Sequence, residues 1–290
     1  MRTFIRNTVA TVVLIVVGAG TGFAQESGAV RRFGLFVGAN DGGAERVTLR
    51  YAISDAERIA NVMQEVGGVH PNDSVVLYDP SDIELDRVAQ RLETAIDRAK
   101  DDARRVEFLF YYSGHSDERG LLLGEARYEY DRLKSTIQSV DADVAVAILD
   151  SCSSGSFTRL KGGRRVQPFL ANDTGEMSGH AFLTSSSDDE ASQESDEIGA
   201  SFFTHYLVSG LLGAADNTRD NRVTLNEVYQ YAFAETLSRT AGTFAGPQHP
   251  SYDIQLAGAG DLVLTDLTVR NARLELAPGI GGRVFIRDRR

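Results

Sequence analysis

The chain has 290 residues, 30 Lys and Arg against 41 Asp and Glu, a formal charge of −11 and one cysteine. That acidic balance excludes binding nucleic acid or an anionic membrane through bulk electrostatics, and favours neutral or basic partners. A single cysteine excludes an internal disulfide, so Cys152 is either a small buried hydrophobe or a reactive thiol.

Arg2 and Arg6 open a short basic start, Val9 to Val17 is a nearly unbroken apolar run, and Gly22-Phe23-Ala24 offers the small residues of a cleavage site. Only about 15 residues there are strongly apolar, short for a membrane span. Residues 1–24 are therefore expected to be a signal peptide cut after Ala24, the alternative being a retained anchor helix. Losing Arg2 and Arg6 takes the charge from −11 to −13. No later run reaches a transmembrane length, so the mature chain is expected to be exported, periplasmic or extracellular, and not membrane-embedded.

Five apolar runs follow: Phe33–Ala39, Ser74–Tyr78, Val106–Tyr112, Val144–Leu149 and His180–Thr184. Most are continuous rather than alternating, which predicts strands of a sheet covered on both faces. Between the first and third runs, Ser54–Glu57 and Ser81–Glu84 are capping boxes. Each opens a helical apolar stripe: Ala56, Ile59, Ala60 and Met63, then Leu85, Val88, Leu92 and Ile96. A third helix is predicted over Tyr130–Val140, and two more over Ser201–Leu212 and Thr224–Arg239, before a last strand over Ile254–Leu264. Strands alternating with helices give an α/β domain with a mostly parallel sheet, expected over residues 25–265. Two polar stretches, Ser153–Gly179 and Ser185–Gly199, interrupt it. The first carries the basic cluster Arg159, Lys161, Arg164 and Arg165. Residues 266–290, with Pro278-Gly279, read as a short β-rich extension.

The reactive groups gather at two strand ends. The third strand ends in Ser113-Gly114-His115-Ser116, and the fourth in Asp150-Ser151-Cys152-Ser153. Sites in open parallel sheets form at the carboxyl ends of strands, where neighbouring strands would bring His115 and Cys152 together. An imidazole raises the thiolate fraction of a thiol or takes its proton during attack, and then protonates the leaving amine. Backbone N–H groups of Ser116 and Cys152 are candidates to hold the developing oxyanion. One Cys and five scattered His give no catalytic metal set, and no cofactor is required for this chemistry.

These motifs resemble those of the caspase and metacaspase peptidases. Tyr112-Ser113-Gly114-His115 is similar to the metacaspase histidine motif and Asp150-Ser151-Cys152 to its cysteine motif. Leu49–Ala60, with Asp55-Ala56, and Ser201–Leu212, with Phe203-Thr204, agree in order over roughly residues 30 to 265. The resemblance implies a caspase-like fold and a cysteine endopeptidase using a Cys152–His115 dyad. It implies that Asp150 lines the pocket for the residue before the scissile bond, selecting Arg or Lys and repelling Asp. The alternative for Asp150 is a turn or capping residue. Asp41 and Asp189, in loops after the first and fifth strands, are further candidates for that pocket, and Ser185 and Ser186 for an exposed strand end flanking the substrate, the alternative being plain loop. The loop after Cys152 corresponds to the family's intersubunit loop, so self-processing there is an expectation. Two departures stand out: Ser116 replaces the Gly that usually follows the His, and Ser153 the His that usually follows the Cys. They leave open a catalytically weak or inactive binding module, as well as a peptide ligase.

Last, Asp216 to Glu227 approximates a twelve-residue calcium loop, with Asp216, Asp220 and Glu227 as candidate ligands. Thr218 and Asn221 depart from that pattern, and Thr224–Glu227 is equally a helix capping box.

Overall fold

The computed structural model describes residues 29–152, 154, 157, 177–187, 190–258 and 260–269. The expected signal peptide, the basic loop with Arg159, Lys161, Arg164 and Arg165, Asp189 and most of the C-terminal extension lie outside them. The elements in order are β1 (Val30–Ala39), α1 (Ala52–Glu65), β2 (Val69–Tyr78), α2 (Asp82–Ala99), β3 (Arg105–Gly114), β4 (Gly120–Leu123) and β5 (Ala126–Glu129). There follow α3 (Tyr130–Ser139), β6 (Val144–Asp150), β7 (Ser178–Thr184), β8 (Glu194–Ser195), β9 (Ala200–Ser201) and α4 (Phe202–Ser209). The last are β10 (Arg222–Thr224), α5 (Leu225–Thr240), β11 (Ser251–Ala257) and β12 (Val263–Asp266). Among the described residues no helix is long and apolar enough to cross a membrane.

Six strands form one sheet in the order β11-β7-β6-β3-β1-β2. All its pairings are parallel except β11 against β7. The continuous apolar runs are explained by what covers them. Phe36, Tyr111, Val146, Ile148 and Leu183 pack against α1, α4 and α5 on one face. Their neighbours Leu35, Phe110, Tyr112, Ala147 and Phe182 pack against α2 and α3 on the other. Successive strand side chains point to opposite faces, so a sheet buried on both sides needs an apolar residue at every position.

Three expectations need correction. The helix expected from a capping box at Ser54 starts earlier, at Ala52, and Ser54 caps nothing: its hydroxyl donates to Tyr51 O. Its first turn is held from elsewhere, by Asn40 Oδ1 accepting from Ile53 N and by Glu194 accepting from Arg50 N and Tyr51 N. The single last strand is two, β11 in the main sheet and β12 paired with β10. Gly258 and Gly260, at φ 125° and 86°, turn the chain between them, in a region closed to most side chains. The helix predicted over Ser201–Leu212 stops at Ser209 and passes into a π-helical turn at Gly210–Ala214, where Gly213 takes φ 116°. By contrast, Ser81 caps α2, and Thr224 with Glu227 forms a complete capping box on α5. Past β12 only a 3-10 turn at Leu267–Val269 belongs to the described residues.

Candidate active site

β3 and β6 pair in parallel with Ser113 opposite Asp150, so His115 and Cys152 each stand two residues past the same rung. Past β3 the chain enters the β4–β5 hairpin, where Leu122 N donates to His115 O at 2.9 Å, and Tyr112 Oη lies 2.6 Å from the same oxygen. This hairpin was not foreseen, although Leu121-Leu122-Leu123-Gly124 signals it. Its first contact is a bridge between Ser116 and Leu121, flanked by bonds from Leu122 N to His115 O and from Asp117 N to Gly120 O. In such a pair the central residues' own N–H and C=O point away from each other's strand. The Ser116 N–H is therefore turned away from β4.

His115 is half-buried, and its Nε2 lies 2.7 Å from Val47 O. A carbonyl oxygen only accepts, so Nε2 carries the hydrogen and Nδ1 is the acceptor of the neutral ring. Gly42 lies against the ring: a Cβ there would come within 2.4 Å of His115 Cδ2. Val47 and Gly42 both lie in the loop between β1 and α1, so one loop orients the imidazole on two sides. Sequence reasoning missed both, the only signal being the Gly42-Gly43 pair.

Cys152 is also half-buried, with Sγ 3.9 Å from Ser192 O. Burial pushes its thiol above the usual range. The contact with Ser192 and the Arg46 charge oppose this, while the Asp150 charge reinforces it. A thiol held in its neutral form needs a base to become a nucleophile at neutral pH.

The turn that carries Cys152 is held by hydroxyls. Ser185 Oγ accepts from Ser151 N at 3.1 Å, Ser186 Oγ donates to Ser151 O at 3.0 Å, and Ser116 Oγ donates to Cys152 O. Ser185 and Ser186 are fully buried and do not form an exposed strand end. They face the backbone of the nucleophile turn instead, because β7 runs directly alongside β6.

Asp150 is buried at the end of β6. Its Oδ1 accepts from Ser192 Oγ at 2.6 Å, and its Oδ2 accepts from Thr204 Oγ1 at 2.6 Å and from Ser201 Oγ. Ser201 caps α4, so the carboxylate sits at a helix N-terminus, where negative charge is stabilised. The Ser201 N–H donates at 3.0 Å to a second buried carboxylate, Asp55 of α1, which Arg58 approaches at 3.4 Å. Asp41 does not reach this pair: it is exposed and accepts from Gly43 N in its own loop. Asp55 had been noted only as part of a motif, and its partnership with Asp150 comes from the packing of α1, β6 and α4.

Burial, reinforced by the charge of Asp150, raises the Asp55 carboxyl to about 8, against the lowering effects of the Ser201 N–H and Arg58. An unfolded Asp titrates near 3.9, so between roughly pH 4 and 8 the native state holds the extra proton and stability falls as pH rises. Asp55→Asn should remove this cost. Its gain over wild type should be small near pH 4 and on the order of 5 kcal/mol, several degrees of melting temperature or more, at pH 8 and above. Thermal melts across that range check it, and a difference independent of pH would refute it.

The calcium candidates are otherwise engaged. Asp216 accepts from the backbone of Asp220 and Asn221, Asp220 accepts from Arg222 N, and Glu227 accepts from Thr218 and Thr224. Among the described residues no group of three His, Cys, Asp or Glu is gathered to hold a metal ion. A cleft of about 500 Å³ opens at the opposite end of β1, lined by Val30, Arg32, Gln64 and Asp266 among others. Arg32 there is already bonded to Glu107 and to the carbonyls of Gly67 and Leu264, and the reactive groups are all at the far rim.

A family model described as the caspase domain matches residues 31–257. Among solved structures the chain is similar to caspase-1 from Spodoptera frugiperda, with a TM-score of 0.56 and 13% identity, over 82% of this chain and 93% of that one. At that identity the likeness speaks for the fold. No curated protein matches the sequence.

Proposed function

The chain belongs to the caspase-domain family of cysteine peptidases, and from that premise we propose that it is an endopeptidase cutting after Arg or Lys with Cys152 as nucleophile and His115 as acid–base partner. The observation that carries this reading is the bond from His115 Nε2 to Val47 O, at a strand end level with Cys152. It leaves Nδ1 to take the thiol proton while Val47 O fixes the ring's orientation. The thiolate attacks the scissile carbonyl, backbone N–H groups of Ser116 and Cys152 hold the oxyanion, and the imidazolium protonates the leaving amine. Water then hydrolyses the acyl-enzyme.

The buried carboxylate of Asp150 supports a preference for basic residues. A carboxylate has about four acceptor positions, and three hydroxyls on Asp150 leave room for a cationic donor once the Ser192 hydroxyl yields. The same bonds favour a second reading, in which Asp150 anchors α4 and the Ser192 loop and sets no specificity. A fluorogenic peptide panel varied at the residue before the cut, run on wild type and Cys152→Ala, tests the whole proposal. Cleavage by wild type alone, strongest after Arg or Lys, supports it, and no hydrolysis of any peptide would favour the inactive binding module. An added amine nucleophile captured in the product would favour ligation.

Self-processing is proposed on the basic residues Arg159, Lys161, Arg164 and Arg165 that follow the nucleophile. Incubated wild type should gain a new N-terminus between Leu160 and Val166, and Cys152→Ala should not. Fragment sequencing reads this, and an intact yet fully active wild type would overturn it.

A further inference from the structure

The three serine hydroxyls around the nucleophile turn do different work. Ser185 and Ser186 join β7 to the Ser151 peptide, within the part of the sheet that carries Cys152. Among the described residues, only Ser116 joins the turn carrying His115 to the turn carrying Cys152 by a hydrogen bond, through its bond to Cys152 O. Ser116 is 2% exposed, so its hydroxyl is sheltered from competing water. Breaking that bond would leave Cys152 O without this buried donor. The family's usual glycine at this position has no side chain to make such a bond, and a glycine turn would have more conformational freedom.

We infer that Ser116 is a positioning residue: its hydroxyl cross-links the two catalytic turns and fixes the separation and orientation of Cys152 relative to His115. This rests on the reading of those two residues as the reacting pair. The physical reason is that neither loop is tied to the other by the sheet at this level, since the ladder of β3 with β6 ends at the Ser113–Asp150 rung. Beyond it each turn is held by its own neighbours, His115 by β4 and the loop after β1 and Cys152 by β7, and proton transfer from thiol to imidazole is steeply sensitive to their separation. The same bond holds the Ser116 backbone, whose N–H is turned away from β4, so the hydroxyl fixes both the base and an oxyanion donor in one frame.

The test uses Ser116→Ala, Ser116→Thr, His115→Ala and the Ser116→Ala/His115→Ala double variant in the full chain. Two readouts are taken: peptide hydrolysis, and the rate at which iodoacetamide alkylates Cys152 across pH. Ser116→Ala should lower kcat by about tenfold to a hundredfold with KM nearly unchanged, and lower the alkylation rate near pH 7 by about tenfold. Ser116→Thr, which keeps the hydroxyl, should restore most of both. In the His115→Ala background the added Ser116→Ala change should have no further effect on alkylation, because the hydroxyl acts through the alignment of that pair. Unchanged kcat and alkylation in folded Ser116→Ala would overturn the inference. So would a loss of alkylation that persists in the His115→Ala background, which would mark a general loosening of the turn. Alkylation needs no substrate. If wild type hydrolyses nothing, the endopeptidase reading fails by itself, while a His115-dependent effect of Ser116 on the thiol still supports the positioning role.

Discussion

Cys152→Ala and His115→Ala are each expected to lower kcat/KM for a basic peptide by at least about a thousandfold, with little change in melting temperature. The Cys152 side chain is half-buried and its contact with Ser192 O is a long 3.9 Å approach, so its removal leaves no strong bond unmade there. His115 is likewise half-buried, and the Val47 carbonyl it releases belongs to an exposed residue, so water can replace the bond. The two residues serve one proton transfer, so the double variant should be no worse than the poorer single one. Rates on a fluorogenic peptide beside circular dichroism melts check both statements. Substantial activity in either folded single variant would remove the dyad.

The second large effect is expected at Asp150. Asp150→Ala should reduce kcat/KM for Arg and Lys peptides by a factor of tens or more, on the order of 2–3 kcal/mol, through loss of a charge-assisted pair. The variant also strips Ser192, Ser201 and Thr204 of their common acceptor, so some loss of stability should accompany it. Asp150→Asn separates the two roles. It keeps an acceptor for those hydroxyls and removes the charge, so discrimination for basic residues should collapse while the melting temperature stays closer to wild type. Faster cleavage after Asp than after Arg in wild type would refute the assignment. If Asp150→Asn cleaves all peptides in wild-type proportions, the carboxylate is an anchor for α4 alone.

How much was legible differs between fold and site. The uninterrupted apolar runs, such as Phe108 to Tyr112, required a sheet buried on both faces, since alternation would have served a half-exposed one. Their spacing, with capping boxes at Ser81 and Thr224, marked the start of α2 and located α5 to within a residue. The sequence alone also determined that His115 and Cys152 end two strands of one parallel sheet, because both follow apolar runs at equivalent positions.

Tertiary structure decided what depends on neighbours distant in sequence. Strand order placed β3 beside β6, and with it the level of the two residues. The tautomer of His115 follows from Val47 O, which local sequence cannot reveal because every residue has a carbonyl and only packing aims one. Ser185 and Ser186 looked like loop residues and proved fully buried, since the hydroxyl at a strand end faces whichever strand lies alongside. The α1 start lies at Ala52 rather than Ser54, with Asn40 and Glu194, distant in sequence, accepting from the N–H groups around its first turn. Asp55 and Asp150 each stand in a separate motif of the sequence, with nothing there to link them. Their shared contact with Ser201, and the raised Asp55 carboxyl, arise only when α1, β6 and α4 exclude water between them.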